Sequence, residues 1–222
     1  MNEIKKITSR DNQRLVSVRK VRDGKAPERI FIEGRRLVEE ALRSAIAISE
    51  CFVVEGFQDS DLLNAVGMRT TSIAGIPEKV FSTIADTQQP QGIILIAKRP
   101  NTSAETIKHG LVSAALPIVV FLNEINNPSN LGAVLRTAEA AGVGGVIVSN
   151  NSSSAYSPKA LRAAMGSTFR LRVWENANFD EVLAWAREGN FTTTSCDISA
   201  TKSYASVDWK KPRLLIFGSE AH

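Results

Sequence analysis

The chain has 222 residues, of which 43% are hydrophobic and 23% charged, and a net charge of +4. These are ordinary globular values for one large or two small domains. No apolar run is long enough to span a bilayer and "MNEIKKITSRDNQRL" has no apolar signal-peptide core, so a cytoplasmic protein with no membrane partner is expected.

The charge is unevenly placed. Residues 1–36 carry eleven Lys/Arg against five Asp/Glu, and the remainder is slightly acidic. A basic stripe of this kind suits a nucleic-acid surface, with Arg10, Arg14, Arg19, Arg22 and Arg35 as candidate RNA contacts. A solvated basic helix has the same signature. Cys51 and Cys196 stand far apart with no CxxC pair, which suggests reduced packing residues. His109 and His222 do not complete a zinc site with them, so no metal is expected.

In chain order, residues 8–22 predict a helix capped by Thr8 or Ser9, with Leu15, Val18 and Val21 at helical spacing. "RIFIEG" predicts a strand. "RRLVEEALRSA" predicts a helix with Leu37, Val38, Ala41 and Leu42 on one face. Strand "ISECFVVEG", helix "DSDLLNAVG", strand "RTTSI", helix "PEKVFSTIA" and strand "QGIILIAKRP" follow. Residues 1–99 thus form a small α/β domain. Residues 100–117, bounded by prolines, read as a linker that can hold a short helix. Residues 118–222 form a second domain. It opens on the apolar run "IVVFLNEI" and alternates strand and helix down to "RLLIFG", which predicts a parallel sheet covered on both faces. The fold class is therefore α/β in both parts.

Several motifs are excluded. "GVGG" at Gly142–Gly145 follows a helix instead of opening one, so it is a helix stop and not a dinucleotide fingerprint. There is no P-loop and no GxSxG elbow. The loop Asn126–Asn130 is more informative, because it sits at the carboxyl end of a buried parallel strand, where open α/β sheets bind ligands. Asn130 is expected to cap a helix starting at Leu131, with Leu131, Val134, Leu135 and Ala138 on its buried face. Arg136 lies off that face, and Gly132, one turn back, is expected to leave its guanidinium a clear path to the sheet edge. The alternative is an exposed arginine paired with Glu139. Glu220, in "FGSE", follows another apolar strand and faces the same edge, or else caps a following helix.

"NNPSNLGAVLRTAEAAGV" closely resembles the first motif of the SpoU (TrmH-like) RNA 2′-O-ribose methyltransferases of the SPOUT superfamily. "YSPKALRAAMGSTFRLRV" resembles the next block and "LLIFGSE" the start of the second motif. "ITSRDNQRLVSVRKV" and "FIEGRRLVEEAL" resemble the family's N-terminal substrate-binding domain, which is similar to the L30e/L7Ae RNA-binding fold. The resemblance covers nearly the whole chain. It implies methyl transfer from S-adenosyl-L-methionine to a ribose 2′-hydroxyl of RNA, ribosomal RNA first, by a homodimer. A tRNA substrate and a non-catalytic RNA-binding protein on the same fold are the alternatives. It also implies a central catalytic role for Arg136, supporting roles for Asn130 and Glu220, and largely backbone cofactor contacts that include Gly218 and Ser195. Ser195 also fits a plain strand-end hydroxyl. The family's third motif, with a Ser-Leu-Asn-Val run that completes a trefoil knot, is absent. The sequence is therefore expected to be a piece of a longer protein; only if the protein truly ended at His222 would cofactor binding be expected to be unmeasurable.

Overall fold

The longest apolar runs lie at the centre of two five-stranded sheets. The computed structural model describes residues 4–197 and 199–218. In the first sheet the strands are β1 (Lys5–Lys6), β2 (Arg29–Glu33), β3 (Ile48–Val54), β4 (Ile73–Ile76) and β5 (Ile93–Lys98), ordered β1-β4-β3-β5-β2. β5 is antiparallel to both neighbours, and the other pairings are parallel. The helices of this part are α1 (Gln13–Arg22), α2 (Arg35–Arg43), α3 (Ser60–Gly67) and α4 (Glu78–Phe81).

β5 shows the two-residue period that assigns faces. Ile94 and Ile96 pack with Leu15, Val18 and Val21 of α1, whereas Ile93, Leu95 and Ala97 pack with Leu37, Val38 and Ala41 of α2. Each of the larger of these side chains contributes about 1.5–3 kcal/mol on burial. α1 starts later than Thr8 or Ser9 would place it, because the Asn12 side chain accepts from the Arg14 N–H and becomes the cap. The strand expected over 69–73 begins only at Ile73. Arg69 explains the shift, since its guanidinium donates to the carbonyls of Leu42, Ser44 and Ile46 and pins this segment as a connection.

The second sheet contains β6 (Leu116–Leu122), β7 (Val143–Ser149), β8 (Val173–Ala177), β9 (Thr192–Ser195) and β10 (Arg213–Phe217), ordered β8-β7-β6-β10-β9. Every pairing in it is parallel, as the alternating pattern requires. Its helices are α5 (Ala104–Ser113), α6 (Pro128–Ala140), α7 (Pro158–Ala164) and α8 (Phe179–Glu188). α5 lies within the segment 100–117, where Ser103 caps it and Ile107 is buried with Val119, Phe121 and Ile147. That segment therefore supplies a layer of the second sheet. Gly142 ends the α6–β7 turn with φ +69°, as "GVGG" predicted.

The two sheets share one apolar cluster, in which Leu37 and Val38 of α2 join Leu131, Leu135, Leu161 and Ala164 of α6 and α7. Ion pairs cross the same seam: Arg162–Asp86 at 2.7 Å, Arg170–Glu40 at 2.5 Å, and Arg99–Glu175. Among the described residues no helix is long and apolar enough to cross a membrane.

Cys51 is buried in β3, and burial pushes its thiol up to about 12, whereas Cys196 is exposed. A thiolate is the reactive form. Iodoacetamide at neutral pH is therefore expected to label Cys196 alone in the native protein and both thiols in denaturant, as read by intact mass. Native labelling of Cys51 would contradict its burial.

Candidate active site

The order β8-β7-β6-β10-β9 contains a switch point. The chain runs from β6 outward to β8, then crosses to β9 and returns through β10. Crevices at the carboxyl ends of strands flanking such a point are where open α/β sheets bind ligands. Register brings Leu122, Phe217 and Ser195 into line, since Phe217 pairs with Leu122 and Ile216 with Ser195. At about 4.8 Å per strand, Ser195 lies about 10 Å across the sheet from the end of β6. The Asn123 N–H donates to the Phe217 carbonyl at 2.9 Å, which ties the loop after β6 to the end of β10.

That loop is held by serines from the neighbouring strand and its following loop. The Glu124 N–H donates to Ser149 Oγ at 2.9 Å and the Ile125 N–H to Ser152 Oγ at 3.0 Å. The Ser153 N–H donates to the Ile125 carbonyl at 2.9 Å, and Ser153 Oγ donates to the Asn126 carbonyl at 2.6 Å. "NNSSSAYS" reads in sequence as a plain loop. Its serines satisfy backbone groups that would otherwise be unpaired beside the crevice, and only the fold shows which loop they meet.

Asn127, not Asn130, caps α6. Its side chain accepts from the Ser129 N–H at 2.9 Å, and Pro128 takes the first helical position. Proline is well suited there because its φ is preset and the N–H it lacks would be unpaired anyway. Asn130 is therefore an exposed residue inside the first turn. Arg136 stands further from the loop than expected, about 12 Å along the axis from Pro128. The two residues lie about 80° apart around the helix. Gly132 also has another purpose than the one the spacing suggested. It is buried, and a Cβ there would sit 2.5 Å from the Ala160 carbonyl oxygen and 2.6 Å from the Ala163 Cβ. The space beside it is occupied by α7, so Gly132 permits close helix packing and opens no channel.

The Arg136 side chain is exposed, and among the described residues it has no hydrogen bond or ion pair. The alternative pairing with Glu139 does not occur, because Glu139 binds Arg170, which also reaches Glu40. Arg170 holds the Glu139 carboxyl below the usual carboxylate range, chiefly by its hydrogen bond. The folded state thus favours the charged form. The stabilisation is present above about 4.5, the ordinary value, and is lost as pH falls through the lower folded value. Both side chains are partly exposed, so the pair is worth about 1 kcal/mol. Glu139→Gln is expected to lower the melting temperature by about 2–4 °C at pH 7. The gap from the unmodified protein should close toward pH 3, and an equal gap at both pH values would count against this assignment.

Gly218 follows β10, is exposed, and has nothing within 4 Å of where a Cβ would stand. Its backbone is open to close approach, which suits a group held by main-chain contacts. Ser195 ends β9 and is exposed at the same edge. Glu220 lies outside the described residues.

The basic stripe is largely engaged by the protein. Arg14 binds Glu50 at 2.8 Å and Ser72 at 2.9 Å and lies over the Phe52 ring. Arg19 donates to the Arg10 carbonyl at 2.7 Å. Arg22 donates to Asp23 and to the carbonyls of Thr83 and Ala85. Arg35 pairs with Asp59. Arg10 stays largely exposed, with Asp11 at 3.8 Å. Lys20, Lys25 and Arg36, which charge counting alone did not single out, are exposed without an ion pair among the described residues.

An all-parallel α/β sheet with a topological switch point between β6 and β10, joined through a charged seam to a mixed sheet, defines the class. The SpoU rRNA Methylase family profile matches residues 117–222. The profile described as RNA 2′-O ribose methyltransferase substrate binding matches residues 31–103. The chain belongs to the SpoU family. It superposes on an AdoMet-bound rRNA methyltransferase from Sinorhizobium meliloti with TM-score 0.82 and 25% identity, covering 98% of this chain and 82% of that one. It is 30% identical over 174 residues to the Bacillus subtilis 23S rRNA (guanosine(2553)-2′-O)-methyltransferase RlmP, covering 77% of this chain and 64% of that protein. It is 29% identical over 154 residues to human mitochondrial rRNA methyltransferase 3, covering 69% of this chain and 36% of that protein. The chain thus spans little more than a third of the length of the mitochondrial relatives it matches.

Proposed function

We propose that this chain is an S-adenosyl-L-methionine-dependent RNA 2′-O-ribose methyltransferase acting on ribosomal RNA in the cytoplasm, as a homodimer. In this reading residues 1–99 form the RNA substrate-binding unit and 118–222 the methyltransferase unit. The observation that carries it is Arg136: a helical arginine with no partner among the described residues, on the helix that leaves the switch-point crevice.

The bound cofactor supplies a methyl already activated by its sulfonium. The chain must then align the ribose oxygen and favour loss of its proton. A guanidinium in a protein stays charged, so Arg136 acts by stabilising the developing alkoxide and holding the adjacent phosphate. Gly218 and Ser195 would hold the cofactor at the sheet edge through backbone and hydroxyl groups. Asn130, in the first turn of α6, holds the loop before it, and Glu220 orders Arg136 or that loop. Arg10, together with Lys20, Lys25 and Arg36, binds RNA phosphates, while Arg14, Arg19, Arg22 and Arg35 shape the surface that presents them.

The test is transfer of radiolabelled methyl from S-adenosyl-L-methionine to ribosomal RNA, followed by digestion to nucleosides. A 2′-O-methylated nucleoside is the expected product. Label in tRNA alone would change the substrate, and binding without label would favour a non-catalytic RNA-binding protein. Neutralising Arg10, Lys20 and Lys25 is expected to weaken RNA binding and flatten its salt dependence by about 1 for each phosphate left without its cation. An unchanged slope would return the stripe to a solvated face.

A further inference from the structure

Glu175 is a buried carboxylate, 6% exposed, that the proposed chemistry does not use. It stands on β8, in the second sheet, and pairs with Arg99, just past β5 of the first. Its other oxygen accepts from the Ala155 N–H at 2.7 Å. Arg99 also reaches Ser154 Oγ at 3.3 Å and lies 5.0 Å from the Tyr156 ring centroid. Three consecutive residues of one loop, Ser154 to Tyr156, are therefore held by a single ion pair.

The same loop holds the crevice. Ser152 and Ser153 bind the backbone of Ile125 and Asn126, and the next residue, Asn127, caps the helix that carries Arg136. Contacts thus run unbroken from Arg99, through Glu175 and the 150–157 loop, to the start of α6. A buried charge is costly unless paired, and this pair is formed only when the two sheets sit in one relative position.

We infer that Arg99 and Glu175 are positioning residues: their ion pair sets the 150–157 loop, and through it the loop before α6, at the distance the crevice requires. The link to methyl transfer rests on the function proposed above. The pair acts as a latch between the sheet that recognises substrate and the loop that positions Arg136. It touches neither cofactor nor ribose.

Arg99→Ala and Arg99→Lys, with Glu175→Gln as the variant of unchanged shape, provide the test. NMR-detected amide exchange is read at Ala155 and Ile125. In Arg99→Ala both amides are expected to exchange at least about tenfold faster, while amides in β3 and β7 keep their rates. Single-turnover methyl transfer at saturating RNA and cofactor should fall about tenfold, with RNA affinity changed less than about threefold. Arg99→Lys, which keeps the charge, should recover part of both losses. If Arg99→Ala does not fold, Glu175→Gln reads the same two amides. An unchanged Ile125 rate in a folded variant overturns the inference, because the tie would then end at its own loop. Faster exchange with undiminished transfer overturns the positioning role. If the unmodified protein transfers no methyl to any RNA, the proposed function fails, and the exchange at Ile125 still decides whether the latch reaches α6.

Discussion

Arg136→Ala is expected to cut methyl transfer by about 10²–10³-fold, the usual cost of removing one group that stabilises developing oxyanion charge. Its melting temperature should stay that of the unmodified protein. The side chain is exposed and has no hydrogen bond or ion pair among the described residues, so its removal takes away no stabilising interaction. Surface changes of this kind lie within about 0.5 kcal/mol. Activity and stability are thus separated in one variant. Arg136→Lys keeps the charge and loses the planar fork, so it should recover only part of the rate if a phosphate is held through two parallel hydrogen bonds. Full activity in Arg136→Ala would remove the catalytic assignment. Loss of RNA binding to the same degree as loss of rate would make Arg136 a binding residue only.

Gly132→Ala is expected to destabilise the protein, although it replaces a helical glycine by the better helix former. Alanine favours a helix over glycine by about 1 kcal/mol. Here that gain is outweighed, because the new Cβ meets the Ala160 carbonyl oxygen at 2.5 Å and the Ala164 nitrogen at 2.9 Å, both backbone atoms. Neither can turn aside as a flexible side chain would, so α6 and α7 must move apart. Overpacking of this kind costs about 1–3 kcal/mol and sometimes more. A net loss of about 2 kcal/mol would lower the melting temperature by about 4–8 °C. Methyl transfer should fall as well, since the displaced helix carries Arg136. A melting temperature equal to or above that of the unmodified protein would show that α6 and α7 separate freely.

The α/β class, the parallel second sheet and the buried faces of α1, α2 and α6 were readable from periodicity, because strand and helix periods are local. Helix starts were less readable. Thr8, Ser9, Asn12, Asn127 and Asn130 are all competent caps, and the choice among them depended on which N–H each side chain met. The value of a charge was not readable at all. Arg14 and Arg22 look the same as Arg10 in a charge count. Yet Glu50 and the carbonyls of Thr83 and Ala85, distant in sequence, engage the first two and leave the third exposed.

By itself the sequence determined the order of elements and the motif that assigns the family, since both reside in consecutive residues. Only the tertiary structure decided which groups converge at the crevice. It paired Phe217 with Leu122 and Ser195 with Ile216, placed Ser152 and Ser153 beneath the loop before α6, and gave Gly132 to α7. The physical reason is that hydrogen bonding and close packing act over a few ångströms of space, whatever the separation along the chain.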